Sequence, residues 1–181
     1  MKYCFDLNLP INPLKEGVDI MSYVPNLNPT TWEEYCVRFS LNDLNPELVS
    51  IIKSLNLRIL LAEHFYTPAG VFSPIHTDLK GGDYTKLNYI FGGKNSTMQW
   101  YDIKNVSSTK EIVPYAVYDI NDVNLLHSQP IGFPTIVQVG IPHNIQNYDE
   151  ARHCIGIVLQ TKNNQRLTMQ DSIDIFNQYI K

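Results

Sequence analysis

A mainly β fold, a sandwich or barrel of jelly-roll type with flanking helices, is what the amino-acid sequence predicts, and three observations predict it. Short β-like segments recur from Leu57 to Leu159, turn residues punctuate them, and helical periodicity is confined to the flanks. The chain has 181 residues, 44% hydrophobic and 18% charged, which suits one domain with a real core and excludes disordered, collagenous and coiled-coil classes. One domain over 1–181 is expected, with an arm and helices over 1–56, a barrel core over 57–162 and a closing helix over 163–181.

The first thirty residues carry Pro10, Pro13, Pro25 and Pro29, which deny long helices and predict an arm of short strands and turns packed on the domain. Two helices are expected next, over Thr30 to Phe39 and over Pro46 to Leu55. In the second, Asn45 can cap and Pro46 suits a first position whose N–H would lack a partner anyway. Leu48, Ile51, Ile52 and Leu55 recur there at helical spacing. Strands are predicted over Arg58 to Tyr66, Lys86 to Phe91, Thr97 to Tyr101, Thr135 to Val139 and His153 to Leu159, divided by Pro68 to Gly70, Gly81-Gly82, Gly92-Gly93, Gly132 to Pro134 and Asn163-Asn164. At the end, Thr168 and Asp171 form a capping pattern before Ile173, Ile175, Phe176 and Tyr179.

Charge narrows the function. Eighteen acidic residues face fourteen basic ones, a net charge of −4, and no basic run offers a footprint for nucleic acid. No apolar run approaches the ~20 residues of a membrane span, and Asp6 and Asn8 interrupt the N-terminal apolar stretch, so a soluble, cytoplasmic protein is expected. Cys4, Cys36 and Cys154 contain no C-x-x-C pair and suggest neither a disulfide framework nor a thiolate zinc site.

His76-Thr77-Asp78 places an imidazole and a carboxylate two residues apart, on one side of an extended segment. His143 follows a predicted strand. Two His and one carboxylate on one face of an octahedral ion leave the opposite face open, the arrangement of non-haem Fe(II) oxygenases. Alone, the H-x-D pair is also a common accident of turns, and His143 an ordinary loop residue. Arg152, nine residues after His143, adds the third element: at the start of a neighbouring strand its guanidinium can meet a carboxylate in bidentate fashion.

With these residues in order, the sequence resembles the Fe(II)- and 2-oxoglutarate-dependent dioxygenases, and most of all their prolyl-hydroxylase-type branch. The resemblance covers about Arg58 to Leu159 and rests on His76-Thr77-Asp78, Pro142-His143-Asn144-Ile145-Gln146 and Arg152, with Tyr66 ten residues before His76 as a fourth match. It implies a double-stranded β-helix in which His76, Asp78 and His143 hold Fe(II), and Arg152 and Tyr66 bind the distal carboxylate of 2-oxoglutarate. A third contact to that co-substrate comes from the strand after H-x-D, where Asn88 alternates with Lys86 and Ile90, and Tyr89 with Leu87 and Phe91; Asn88 is expected to face the polar pocket. Cys154 stands where the family often has Ser or Thr. The activity implied is hydroxylation by dioxygen of a small-molecule or peptide substrate, with an amino-acid or peptide side chain favoured; substrate identity and oligomeric state are open. The alternatives are a cupin-type metal barrel that does not use 2-oxoglutarate and a non-catalytic binding module.

The remaining candidates read as scaffold. His64 is expected as a satisfied barrel histidine, His127 at a loop or strand end, and His153 pointing away from Arg152. Trp100 suits either a core position or a substrate channel. Asp119, Asp122 and Asn124 lack the glycine and terminal Glu of a calcium loop.

Overall fold

The computed structural model describes residues 3–24, 26, 35–78, 82–104, 110–112, 115–132 and 134–181. Among them, twelve strands form two six-stranded antiparallel sheets. The first sheet runs β1 (Cys4–Asp6), β10 (Thr135–Gln138), β5 (Thr85–Gly92), β12 (Arg152–Thr161), β3 (Leu57–Thr67) and β2 (Cys36–Phe39). The second runs β7 (Lys110–Ile112), β8 (Tyr115–Tyr118), β4 (Ile75–Thr77), β11 (His143–Gln146), β6 (Thr97–Ile103) and β9 (Val123–Pro130).

From β3 to β6 the chain alternates between the sheets, it stays in the second through β9, and it alternates again to β12, so that its second half returns along its first. β12 pairs with β3, β11 with β4, β10 with β5 and β9 with β6. A long antiparallel ribbon wound in this way is a jelly roll. No helix among the described residues is long and apolar enough to cross a membrane.

The main core lies outside the barrel, between the first sheet and the elements laid over it. Leu87 and Tyr89 of β5 and Ile155 and Ile157 of β12 meet Phe5, Leu7 and Leu9 of the N-terminal arm and residues of two helices. Helix α1 (Pro46–Ser54) starts where sequence chemistry demands: the Glu47 N–H donates to Asn45 Oδ1 at 2.9 Å, with Pro46 at the first position, and Leu48 and Ile52 are buried. Helix α2 (Met169–Phe176) begins with a reciprocal capping box between Thr168 and Asp171 and buries Met169, Ser172 and Phe176. A smaller cluster of Cys4, Met98, Trp100, Val137 and Val139 closes one side of the barrel.

One expected element is corrected. Cys36–Phe39 is a strand, not the end of a helix begun at Thr30, because its backbone pairs with β3, Val37 opposite His64 and Phe39 opposite Ala62. That ladder outweighs a weak helical spacing; residues 30–34 lie outside the described set. The N-terminal arm does pack on the domain, extending the first sheet where β1 joins β10.

Phe176 is fully buried against this outer core. Phe176→Ala is expected to destabilise the fold by about 3–5 kcal/mol, and Thr168→Ala, which removes the cap alone, by about 1 kcal/mol. Urea denaturation followed by fluorescence checks both; equal losses would mean that the helix is held by its cap and not by its buried face.

Candidate metal centre

Strands β4 and β11 pair so that His143 stands directly opposite His76. Their rings lie 4.5 Å apart between centroids. His76 Nδ1 is 2.8 Å from the Pro74 carbonyl oxygen and His143 Nδ1 is 2.9 Å from that of Ile141. A carbonyl oxygen can only accept, so each Nδ1 carries a proton and each Nε2 faces inward. This fixing of tautomer and ring direction is what a metal-binding imidazole requires.

Asp78 follows β4, and its N–H donates to the Val139 carbonyl at 3.1 Å. Its Oδ1 lies 3.2 Å from His76 Nε2 and 3.6 Å from His143 Nε2. One ligand atom from each of the three residues lies within 4.8 Å of the others, a cluster that could hold a metal ion. Burial, with His76 as the neighbouring ring, lowers the His143 pKa to about 4, so this imidazole is neutral at pH 7. Burial would raise the Asp78 pKa, but the Lys86 ammonium, the hydrogen bond to His76 and the two imidazoles overcome it and hold the carboxyl well below the usual range. Two imidazoles and a carboxylate without thiolate form a donor set that Fe(II) accepts.

The three residues open onto a cavity of about 570 Å³, its mouth included. On its wall, Arg152, Cys154 and Asn88 lead along the inner faces of β12 and β5 toward Lys86. Arg152 is only 2% exposed, and its stem runs against Gly93, where a Cβ would stand 2.7 Å from Arg152 Cγ. No carboxylate among the described residues forms an ion pair with Arg152; the side chain beside it is the Cys154 thiol. Asn88 lines the cavity with a buried Oδ1 that has no hydrogen-bond partner, whereas Tyr89 faces the outer core.

Tyr66 is not where the resemblance would put it. Phe65 and Thr67 line the cavity, so strand alternation turns Tyr66 outward, where its ring lies 5.1 Å from that of His153. His64 is on the same outer face, its Nε2 3.1 Å from His153 Nδ1 with the rings nearly parallel. His127, in β9, stacks on Tyr3 at 5.5 Å. Trp100 is fully buried and donates its indole N–H to the Gln138 carbonyl at 2.9 Å, a core role. Asp119 accepts from the Asn121 N–H at 2.8 Å and caps a short 3-10 turn.

Sequence reasoning missed two charged members of the site. Lys86 Nζ lies 2.5 Å from Asp78 Oδ2 and 3.0 Å from Glu63 Oε2. Burial disfavours a charged lysine, but the Asp78 and Glu63 carboxylates reverse that and raise its pKa. The signal was present, since Lys86 alternates with Asn88 on one strand and any register that turns Asn88 inward turns Lys86 inward too.

No protein-family model matches the chain, and no curated protein matches it. Among solved structures it is distantly similar to vicilin from Capsicum annuum, with a TM-score of 0.37 and 13% identity over 81% of this chain and 34% of that one. This chain thus spans about a third of the vicilin chain. It is similar to the same degree to Peruvianin-I, a cysteine peptidase from Thevetia peruviana latex, at TM-score 0.37 and 12% identity over 93% of this chain and 95% of that one. For an oxalate oxidase the TM-score is 0.37 and the identity 11%, over 93% of this chain and 78% of that one.

Burial, outweighing the bond to Tyr23, lowers the His64 pKa to about 4, as burial does for His143. Below an ordinary imidazole pKa of about 6.5 the unfolded chain binds protons that the folded chain refuses, so stability falls with pH from about 6.5 to about 4. Urea midpoints of the metal-free protein should be level above pH 7 and fall across that window, less steeply in His64→Gln. A flat profile would contradict neutral buried imidazoles.

Proposed function

We propose that the chain is an Fe(II)- and 2-oxoglutarate-dependent dioxygenase that hydroxylates an amino-acid or peptide side chain. The observation that carries this reading is Arg152, a buried guanidinium with no carboxylate partner among the described residues, lining the same cavity as His76, Asp78 and His143. A buried cation calls for an anion, and a planar fork suits a carboxylate.

Charge balance supports the same conclusion. Asp78 and Glu63 contribute two negative charges, and Lys86 and Arg152 two positive ones, so these side chains sum to zero. A divalent cation would leave two uncompensated positive charges, and a dianion such as 2-oxoglutarate would restore neutrality. His76, Asp78 and His143 would hold the iron through Nε2, one carboxylate oxygen and Nε2. Bound iron supplies dioxygen activation coupled to oxidative decarboxylation of 2-oxoglutarate to succinate and carbon dioxide, with hydroxylation of a substrate C–H bond. Arg152 orients the distal carboxylate, and Asn88 offers a buried amide along the same wall. Phe65, Met98, Val139 and Ile145 give the cavity an apolar side against which a substrate can pack.

The outward placement of Tyr66 favours a second reading, a cupin-type metal barrel that does not use 2-oxoglutarate. Arg152 separates the two. Wild-type protein should bind Mn(II), convert 2-oxoglutarate to succinate when supplied with Fe(II), and lose metal binding in His76→Ala. Arg152→Ala should keep the metal but weaken 2-oxoglutarate binding about 30-fold or more, the loss expected when one member of a buried charge pair is truncated. Calorimetry checks binding and succinate formation checks turnover. Metal binding with no affinity for 2-oxoglutarate would transfer the assignment to the second reading.

A further inference from the structure

The two oxygens of Asp78 meet different partners. Oδ1 faces His76 and His143, and Oδ2 lies 2.5 Å from Lys86 Nζ. Lys86 is itself anchored: its ammonium reaches Glu63 Oε2 at 3.0 Å and lies 5.0 Å from the centre of the Phe65 ring. Its stem passes the one position on the inner face of β12 that has no side chain, since a Cβ on Gly156 would stand 3.6 Å from Lys86 Cδ. The Lys86 side chain is 7% exposed and that of Asp78 8%, so the pair lies largely out of solvent.

We propose that Lys86, tethered by Glu63, is a positioning residue that reserves Oδ2 of Asp78, so that the carboxylate offers a metal one oxygen and leaves a further coordination position for an incoming ligand. The inference rests on the metal-centre reading above. Its physical content is twofold. The ammonium occupies the lone pairs that a two-oxygen chelate would need, and its charge opposes a second cation on the same carboxylate. The triad therefore binds metal less tightly than it would without Lys86 and keeps room for a chelating co-substrate. An ion pair of purely structural value predicts otherwise: breaking it from either side would loosen the site and weaken metal binding.

Calorimetric titration with Mn(II), without oxygen and with or without 2-oxoglutarate, distinguishes these on the wild type, Lys86→Met and Glu63→Gln. Lys86→Met should bind Mn(II) about tenfold or more tighter, and 2-oxoglutarate should enhance that binding less than in the wild type, because the freed Oδ2 takes the position the co-substrate needs. Glu63→Gln should bind Mn(II) a few-fold more weakly, because Lys86 then directs its whole charge at Asp78, with the enhancement by 2-oxoglutarate undiminished. Weaker Mn(II) binding in both variants, or no change in either, overturns the proposal. If Lys86→Met does not fold, Lys86→Gln replaces it, removing the charge while keeping a polar group: tighter Mn(II) binding than the wild type supports the role, and weaker or unchanged binding overturns it. Absence of Mn(II) binding by the wild type would remove the metal-centre reading itself, whereas same-direction changes in a metal-binding protein remove only the role of Lys86.

Discussion

The site depends on the register between β4 and β11. Because the second half of the chain pairs back along the first, His143 arrives opposite His76 although 66 positions of sequence separate them. A one-residue slip in either strand would send one imidazole to the opposite face. The register is held from both sides: β11 also pairs with β6, His143 opposite Trp100, and β4 with β8, His76 opposite Val117. The two carbonyls that fix the ring tautomers belong to Pro74 and Ile141, each two residues before its histidine. The directions of the two imidazoles are therefore set by local backbone once the strands are paired.

The first sheet divides its chemistry between two faces. Outward, Leu87, Tyr89, Ile155 and Ile157 build the core with the N-terminal arm and the helices. Inward, Lys86, Asn88, Arg152 and Cys154 line the cavity. The same alternation explains why His64 and His153 belong to the scaffold: they lie on the outer face and bond to each other. With buried charges on the inner face, most of the apolar burial lies outside the barrel, over the first sheet, and the smaller cluster of Cys4, Met98, Trp100, Val137 and Val139 packs between the sheets.

Much of this was legible in the sequence, for identifiable reasons. Helix α1 was readable because Asn45, Pro46 and the spacing of Leu48 and Ile52 agree, and α2 because Thr168 and Asp171 announce a capping box. The long strands β3, β5, β6 and β12 carry enough β-branched and aromatic residues to declare themselves. β4 and β11 do not: at three and four residues, they become strands only by pairing with each other and with their neighbours. β2 was misread as helix because its pairing with β3 is a tertiary fact absent from local spacing. The triad could be named from H-x-D and one later histidine, but the direction of Tyr66 depends on the exact phase of an eleven-residue strand. Spacing along the chain does not supply that phase. Lys86 escaped notice for a different reason: a lysine in a strand suggests solvent, and only the presence of two inward carboxylates makes its burial reasonable.

That last point ties the register of β5 to the chemistry of the cavity. If β5 shifted by one residue, Leu87 and Tyr89 would enter the polar cavity, and the ammonium of Lys86 would face Leu48, Ile52 and the arm with no carboxylate to meet it. Burying an unpaired charge in such surroundings costs several kcal/mol or more, so the slipped state is penalised on both faces at once. In the observed register the outer core needs Leu87 and Tyr89 where they are, and Asp78 and Glu63 need Lys86 where it is. The apolar packing outside the barrel and the ion pairs inside it therefore select the same alignment. A cluster of buried charges that contributes little net stability still serves the fold, by excluding the registers in which His76, Asp78 and His143 would not come together.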